Sequence, residues 1–288
     1  MIRYNPKDWF TFIFRFHKAD TFRTLAPLIL LIAVYAGVIA WLETDVWQLS
    51  ENSHVKHLSL IHSTLGLVIS LLLVFRTNTA YERWWEGRKV WGGLVNSSRN
   101  LAMKIAVLAP SDRVYFRAMI PNYAFALKNH LRGVLIHEEL VDTEDFSSSE
   151  LSLNEHVPNQ LALMMYRRLA ELEQSGKLKP EHLLLLNVEM MNFTDAVGAC
   201  ERIKKTPIPF SYSVFLKKFI FLYVMTLPFG YVFSLGYLVM PVVAVIFYVL
   251  ASLELIAEEI EDPFGKDAND LPTDELAKTI RLSVEELL

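Results

Sequence analysis

One cysteine in 288 residues, Cys200, leaves no partner for an intrachain disulfide. No group of cysteine and histidine stands at zinc-ligand spacing, so the thiol reads as a buried one. Also missing are a nucleophile set beside a base, a paired-carboxylate site and a glycine-rich phosphate loop, and without them the chain is not read as an enzyme. The net charge of −4 is small for this length and no basic patch offsets it, which excludes nucleic-acid binding driven by overall charge. Residues 1–23 carry five Lys and Arg but no short apolar core ahead of a small-residue cleavage site, so a removed signal peptide is not expected. Proline is absent from Leu58 until Pro110, and nothing there interrupts a helix.

Apolar surface is what the chain has in excess. It is 52% hydrophobic and 12% aromatic, yet 21% of it is charged, a balance that suits a protein part in a membrane and part in water. Residues 1–23 interleave Trp9, Phe10, Phe12, Phe14 and Phe16 with Lys7, Arg15, Lys18 and Arg23, and read as an amphipathic interfacial segment. Thr24 to Leu42 is an uncharged first span. Leu58 to Phe75 contains no formal charge apart from the titratable His62 and extends about 27 Å as a helix, close to the thickness of a bilayer core. Phe219 to Leu253 contains no Asp, Glu, Lys, Arg or His and suits two spans joined by a tight hairpin, with the break supplied by Pro228, Gly230, Ser234 and Gly236. The linker from Glu43 to His57 is acidic while the flanks before and after it are basic. By the positive-inside rule both termini and the middle of the chain are then cytoplasmic.

The second span carries two stripes. Ser59, Ser63, Gly66 and Ser70 put small residues on one face, where another helix can approach closely. Next to them Leu60, Thr64, Leu67, Leu71 and Phe75 recur at steps of three and four. This second stripe touches lipid or a neighbouring span, or faces the axis of a ring of identical helices; spacing alone leaves both open. Past Phe75 the pattern changes to Arg76, Tyr81, Arg83, Trp84, Trp85, Arg88 and Lys89, so the helix is expected to leave the membrane among interfacial anchors and continue into water. From about Asn78 to Pro209 apolar residues recur at helical intervals. Breaks at Pro110 to Asp112, Asp142 to Ser152 and Ser175 to Pro180 divide this region into about four helices. His137, Glu138 and Glu139 lack a second histidine at i+4 and read as a solvated helix end. A short helix is expected from Thr273 to Leu287.

Several stretches together resemble one family. They are Gly66 through Phe75, Arg76, Thr77 and Asn78 to Tyr81, Glu82, Arg83 and Trp84; Trp91 and Gly92; Gly198 to Arg202 followed by Thr206, Pro207, Ile208, Pro209 and Phe210; and Glu258 to Pro272. Over nearly its full length the chain resembles the bestrophins, and most of all their bacterial members. The resemblance implies a pentameric ion channel in which the second span lines a hydrophobic neck at Leu67, Leu71 and Phe75, with a lower aperture at Pro180 and Glu181. It also implies a clasp in which Glu259, Asp262, Asp267 and Asp270 join backbone carbonyls around one ion, and hard oxygen ligands suit calcium. Glu259 and Asp262 stand where animal members carry amides, so calcium is not expected as a required cofactor.

The expected fold is therefore an all-α membrane protein with four transmembrane helices and a cytosolic helical bundle, assembled as a homopentamer around a central pore. Residues 1–77 hold the interfacial segment and the first two spans, 78–210 the cytosolic helices, 211–259 the last two spans and 260–288 the clasp-like turn and final helix. The expected function is passive conduction of monovalent ions across the cell (inner) membrane. Cations are favoured because only one of the three neck positions is aromatic and Glu181 adds a carboxylate. A chloride or other anion channel of the same architecture is the alternative, and a scaffold or carrier without channel activity is the second. The expected partners are membrane lipid, further copies of the same chain and monovalent ions.

Overall fold

The computed structural model describes residues 21–48, 58–134, 137–152 and 155–288. Of the interfacial segment expected over residues 1–23, the first twenty residues lie outside the described residues and the last three belong to the first helix; the acidic linker beyond residue 48 also lies outside the described residues. Among the described residues, eight α-helices of 15 residues or more carry the fold: α1 Thr21–Trp41, α2 Leu58–Leu108, α3 Arg113–Arg132, α4 Val157–Gln174, α5 Pro180–Lys205, α6 Phe210–Leu235, α7 Val239–Glu261 and α8 Thr273–Leu287. Among the described residues the β structure amounts to one isolated bridge, Thr143 to Phe146.

Local chemistry sets the helix boundaries. As expected, α2 runs 51 residues without a break, about 76 Å, because nothing before Pro110 interrupts it. α3 ends at Gly133, whose φ of +65° is cheap only without a Cβ. α4 starts where His156 Nδ1 accepts the Asn159 N–H, and α5 starts with Pro180 at its first position, where the missing N–H has no partner to lose. Among the described residues, three stretches are long and apolar enough to cross a membrane, Thr21–Val46, part of Leu58–Leu108, and Phe210–Glu261. The third is two helices, α6 and α7, separated by a 3₁₀ turn at Gly236–Leu238.

The hairpin breaks later than the turn residues suggest. Pro228 and Gly230 both sit inside α6, and the chain turns at Gly236, with φ +53°. In an apolar helix packed among neighbours a proline is tolerated. Gly230 serves a close approach: a Cβ there would lie 3.0 Å from the Ser59 nitrogen at the start of α2.

Two cores share α2. Ile69 and Leu73 of its upper half pack with Ile32, Ala36 and Ala40 of α1, Leu216, Ile220 and Val224 of α6, and Val239 and Val243 of α7. Trp91, Leu101 and Ile105 of its lower half join Phe116 and Tyr123 of α3, Leu161 and Met165 of α4, Phe193 and Cys200 of α5, and Ile280 of α8. The lower core is thus built by the four helical pieces expected between Asn78 and Pro209, with α8 laid over them.

Where the two halves of α2 meet, charged side chains turn inward. Arg76 is 2% exposed, with Nε 3.3 Å from Glu254 Oε2 and Nη2 2.7 Å from Glu261 Oε2, both on α7. Seven residues on, Arg83 donates to Glu261 O at 3.1 Å and to the carbonyls of Ile203 and Thr206, which satisfies the last turn of α5. Trp84 Nε1 donates 3.0 Å to Asn269 O. From sequence both residues read as interfacial anchors. The structure instead uses them to tie α2 to α5 and to the acidic turn, whereas Tyr81 and Trp85 remain exposed.

Removing Arg76 leaves two carboxylates without their counter-charge in a buried site. Arg76→Ala should destabilise the chain by about 3–5 kcal/mol, while Arg76→Lys, which keeps the charge but loses the fork, should cost less. Thermal melting in detergent, followed by the size-exclusion peak, checks the order; an Arg76→Ala protein as stable as wild type would contradict it.

Candidate ion pathway

Helix phase decides what α2 presents outward. Ile69, Leu73, Arg76 and Ala80, at steps of four, three and four, are all buried against the other helices. The opposite side is bare: Leu67 is 73% exposed, and Leu71 and Phe75 are 56% exposed. All three residues assigned to the neck therefore lie on one uncovered line, one helical turn apart, with Leu60 and Thr64 above them. The small-residue stripe beside it is divided. A Cβ on Gly66 would lie 2.8 Å from Tyr223 Oη, so α6 of the same chain already fills that notch. Ser63 and Ser70 stay exposed.

Arg76 contributes no free positive charge to this line, because its guanidinium is folded back onto α7 of its own chain. Pro180 and Glu181 both sit exposed in the first turn of α5. From Glu181 an uncovered apolar face continues along α5 through Leu184, Leu185, Val188 and Met191.

The acidic turn between α7 and α8 is pinned from several sides. Phe264 and Leu271 are buried and stand over Gly87, where a Cβ would meet them at 3.1–3.2 Å. Arg132, from the end of α3, forks onto Asp274 at 2.9 and 2.6 Å and donates to Gly265 O at 3.2 Å. Lys128 is nearly fully buried between Glu139 and Asp274, at 2.6 and 3.1 Å. The Asp274 carboxyl is held far below its ordinary range, first by the Arg132 hydrogen bond. Glu139 also accepts from Asn129, so the sequence run that held it is an ion-pair site.

The four acidic residues of the expected clasp are used differently from one another. Glu259 accepts from Asn269 Nδ2 at 2.6 Å, and Asp262 closes the C-terminus of α7. Asp270 turns inward, 2% exposed, with Oδ2 accepting the Asp267 N–H at 2.7 Å and Oδ1 left without a partner. Burial pushes the Asp270 carboxyl up to about 6, and the negative charges of Asp267, Asp262 and Glu259 push the same way, against the Asp267 backbone hydrogen bond. An orphaned oxygen among like charges fits a bound cation. Among the described residues, however, no three of these four carboxylates bring ligand atoms within 4.8 Å of one another. Asp270 is the residue that would hold an ion here.

Comparison with known proteins bears on the whole chain. A family profile described as the bacterial and fungal bestrophin protein matches residues 1–286. A voltage-dependent anion channel-forming protein of Synechocystis is 33% identical over 294 residues, covering 99% of this chain and 93% of that one. One of the same description from Nostoc is 39% identical over 230 residues, 77% of this chain and 75% of its own length. Among solved structures, a point variant of a bacterial bestrophin homologue from Klebsiella pneumoniae superposes with a TM-score of 0.82 at 26% identity, over 91% of this chain and 98% of that one. A structure of the Klebsiella homologue obtained by Zn-SAD phasing gives 0.80 at 28% identity, over 90% and 96%.

The Asp270 geometry has a sign that titration can read. The folded chain holds this carboxyl at about 6 against an ordinary 3.8. Between those values the native state binds more protons than the unfolded one, so this group's contribution makes stability fall as pH rises through the window, and the penalty is fully present above it. Asp270→Asn removes the penalty and keeps an oxygen for the Asp267 N–H. In chelator, the variant should melt above wild type at pH 7, and the gap should shrink as pH is lowered to 5. A gap independent of pH would contradict the inward, unpaired carboxylate.

Proposed function

This chain belongs to the bacterial and fungal bestrophin family, a family of membrane ion channels and not of enzymes, and from that premise we propose that it is a passive channel for small monovalent ions, a ring of five identical chains around the α2 helices. A pair of uncovered apolar faces carries this reading. Lipid can cover the face of α2 at Leu67, Leu71 and Phe75. It is no cover for Leu184, Leu185, Val188 and Met191, because α5 is not among the stretches long and apolar enough to cross a membrane. The two helices are locked together by Lys104, which donates to Leu185 O and pairs with Glu189, both at 2.9 Å. A like neighbour seated on α5 therefore draws α2 beside a like neighbour as well. Closed rotational symmetry is the usual way such contacts end, and five is the number the family resemblance implies.

In this assembly α1, the upper part of α2, α6 and α7 make four spans of the inner membrane, with both termini in the cytoplasm. Rings of Leu67, Leu71 and Phe75 offer a hydrated ion no oxygen to replace its water, so a narrow neck closes by dewetting and opens by widening. Conduction needs no cofactor, and calcium at Asp270 would serve the structure of the turn. Lipid and further copies of the chain are the partners.

Two readings of the conducted sign remain, each with its own support. The names carried by the relatives favour anions. The geometry favours monovalent cations: Arg76 is neutralised by two carboxylates, and Glu181, exposed at the start of α5, would recur five times around the axis. Recording purified protein in planar bilayers under a tenfold KCl gradient tests function and sign together. Unitary current steps are expected. A reversal potential shifted toward the chloride equilibrium potential supports the first reading, and one shifted toward potassium the second. Purified, inserted protein that passes no unitary current at any voltage would overturn the channel.

A further inference from the structure

Three side chains far apart in sequence meet at the lower end of the helical core, outside the ion pathway. His130 lies in the last turn of α3, His156 is the N-cap of α4, and Glu201 lies near the C-terminal end of α5. Both imidazoles aim Nε2 at the same carboxylate oxygen, Glu201 Oε1, at 2.6 Å from His130 and 3.0 Å from His156. Their rings stand 4.2 Å apart at 43°. Two ring nitrogens and a carboxylate oxygen thus lie within 4.8 Å of one another, the one such group of three among the described residues. The geometry points to a transition-metal site, of the zinc(II) class, that clamps the end of α3 and the start of α4 to α5.

The chemistry of the donors selects the ion. Imidazole nitrogen with one carboxylate suits zinc and its first-row neighbours, whereas calcium and magnesium take shells of oxygen. The carboxylate is already held in place, since Lys205 grips Glu201 Oε2 at 3.1 Å and leaves Oε1 free to turn toward the two rings. It is also ionised at any working pH. Burial raises the Glu201 carboxyl, but hydrogen bonds from His130, Lys205 and His156 outweigh it and set it at about 2. The three side chains are half-buried, neither sealed nor bare. A cleft of about 520 Å³, lined by His156, Asn159, Tyr166, Thr194 and Glu201 among others, opens beside them, giving an ion entry and leaving its fourth position to water.

Without metal, the two Nε2–H groups share one oxygen. His156 Nδ1 accepts the Asn159 N–H at 3.2 Å, so its proton sits on Nε2. Metal binding moves the proton of each ring from Nε2 to Nδ1, frees both Nε2 atoms as ligands and, at His156, exchanges a long capping hydrogen bond for a metal–nitrogen bond. No oxidation and no net proton release from a neutral ring is involved. The neighbouring Cys200 does not enter the set, because it is buried and burial pushes its thiol up to about 12.

The test uses the full chain, purified in detergent and stripped with chelator, equilibrated with zinc chloride at pH 7.5 and analysed for bound metal by mass spectrometry. Wild type should retain about one zinc per chain more than a His130→Gln, His156→Asn double variant. Asparagine keeps the N-cap of α4, and an unchanged size-exclusion profile shows that the variant is folded. The difference should vanish with calcium chloride in place of zinc. Equal zinc uptake by wild type and the folded variant, or no uptake by wild type, overturns the site. Should the double variant fail to fold, anomalous diffraction at the zinc edge decides it: a peak between His130, His156 and Glu201 supports the site, and zinc bound only elsewhere overturns it.

Discussion

A guanidinium buried where the two halves of α2 meet fixes the rotation of that helix. Arg76 cannot be left in a low-dielectric interior alone; stripped of water, it needs Glu254 and Glu261 close by. With Arg76 turned onto α7, Ile69, Leu73 and Ala80 must share its side, and Leu67, Leu71 and Phe75 must point away from the rest of the chain. The same pairing decides the electrostatics. The positive charge of Arg76 is neutralised by two carboxylates of its own chain and does not stand free beside the exposed line of Leu67, Leu71 and Phe75.

The rod of α2 transmits that constraint downward. Arg83 satisfies the last carbonyls of α5, Trp84 reaches the acidic turn, and Gly87 makes room for Phe264 and Leu271. Arg132 and Lys128 then tie the turn and α8 to the end of α3. The acidic turn is therefore tied to the same helix that carries the exposed line of Leu67, Leu71 and Phe75.

Much of this is legible in the sequence wherever the information is local. The uninterrupted α2, the breaks at Pro110 and Pro180, and the helix from Thr273 to Leu287 all follow from periodicity and turn residues. So does the phase of Leu67, Leu71 and Phe75. The break expected from Asp142, by contrast, begins earlier, at Gly133, so that His137 to Glu139 form a 3₁₀ turn and not the end of α3. Local signals mislead where packing overrides them: Pro228 looks like a break but sits inside an apolar helix, and Arg83 and Trp84 look like surface anchors but bond inward. What no local pattern can show is the convergence of distant residues. The inward turn of Asp270 depends on the fold of its own loop, and His130, His156 and Glu201 lie 26 and 45 positions apart. A lone histidine at a helix end carries no sign of the carboxylate it will meet.

The central claim is that the uncovered line on α2 faces a shared aqueous axis. The native background is clean for testing it, since Cys200 is fully buried and its thiol resists ionisation. Leu71→Cys and Val68→Cys place single reactive thiols about 60° apart on the exposed half of the same helix. Applied to open channels in a bilayer, a water-soluble methanethiosulfonate reagent should abruptly change the unitary current of Leu71→Cys, leave wild type untouched and react with Val68→Cys much more slowly. Rapid modification of Val68→Cys with no change in Leu71→Cys would contradict the account, placing the proposed neck line against lipid or protein instead of water.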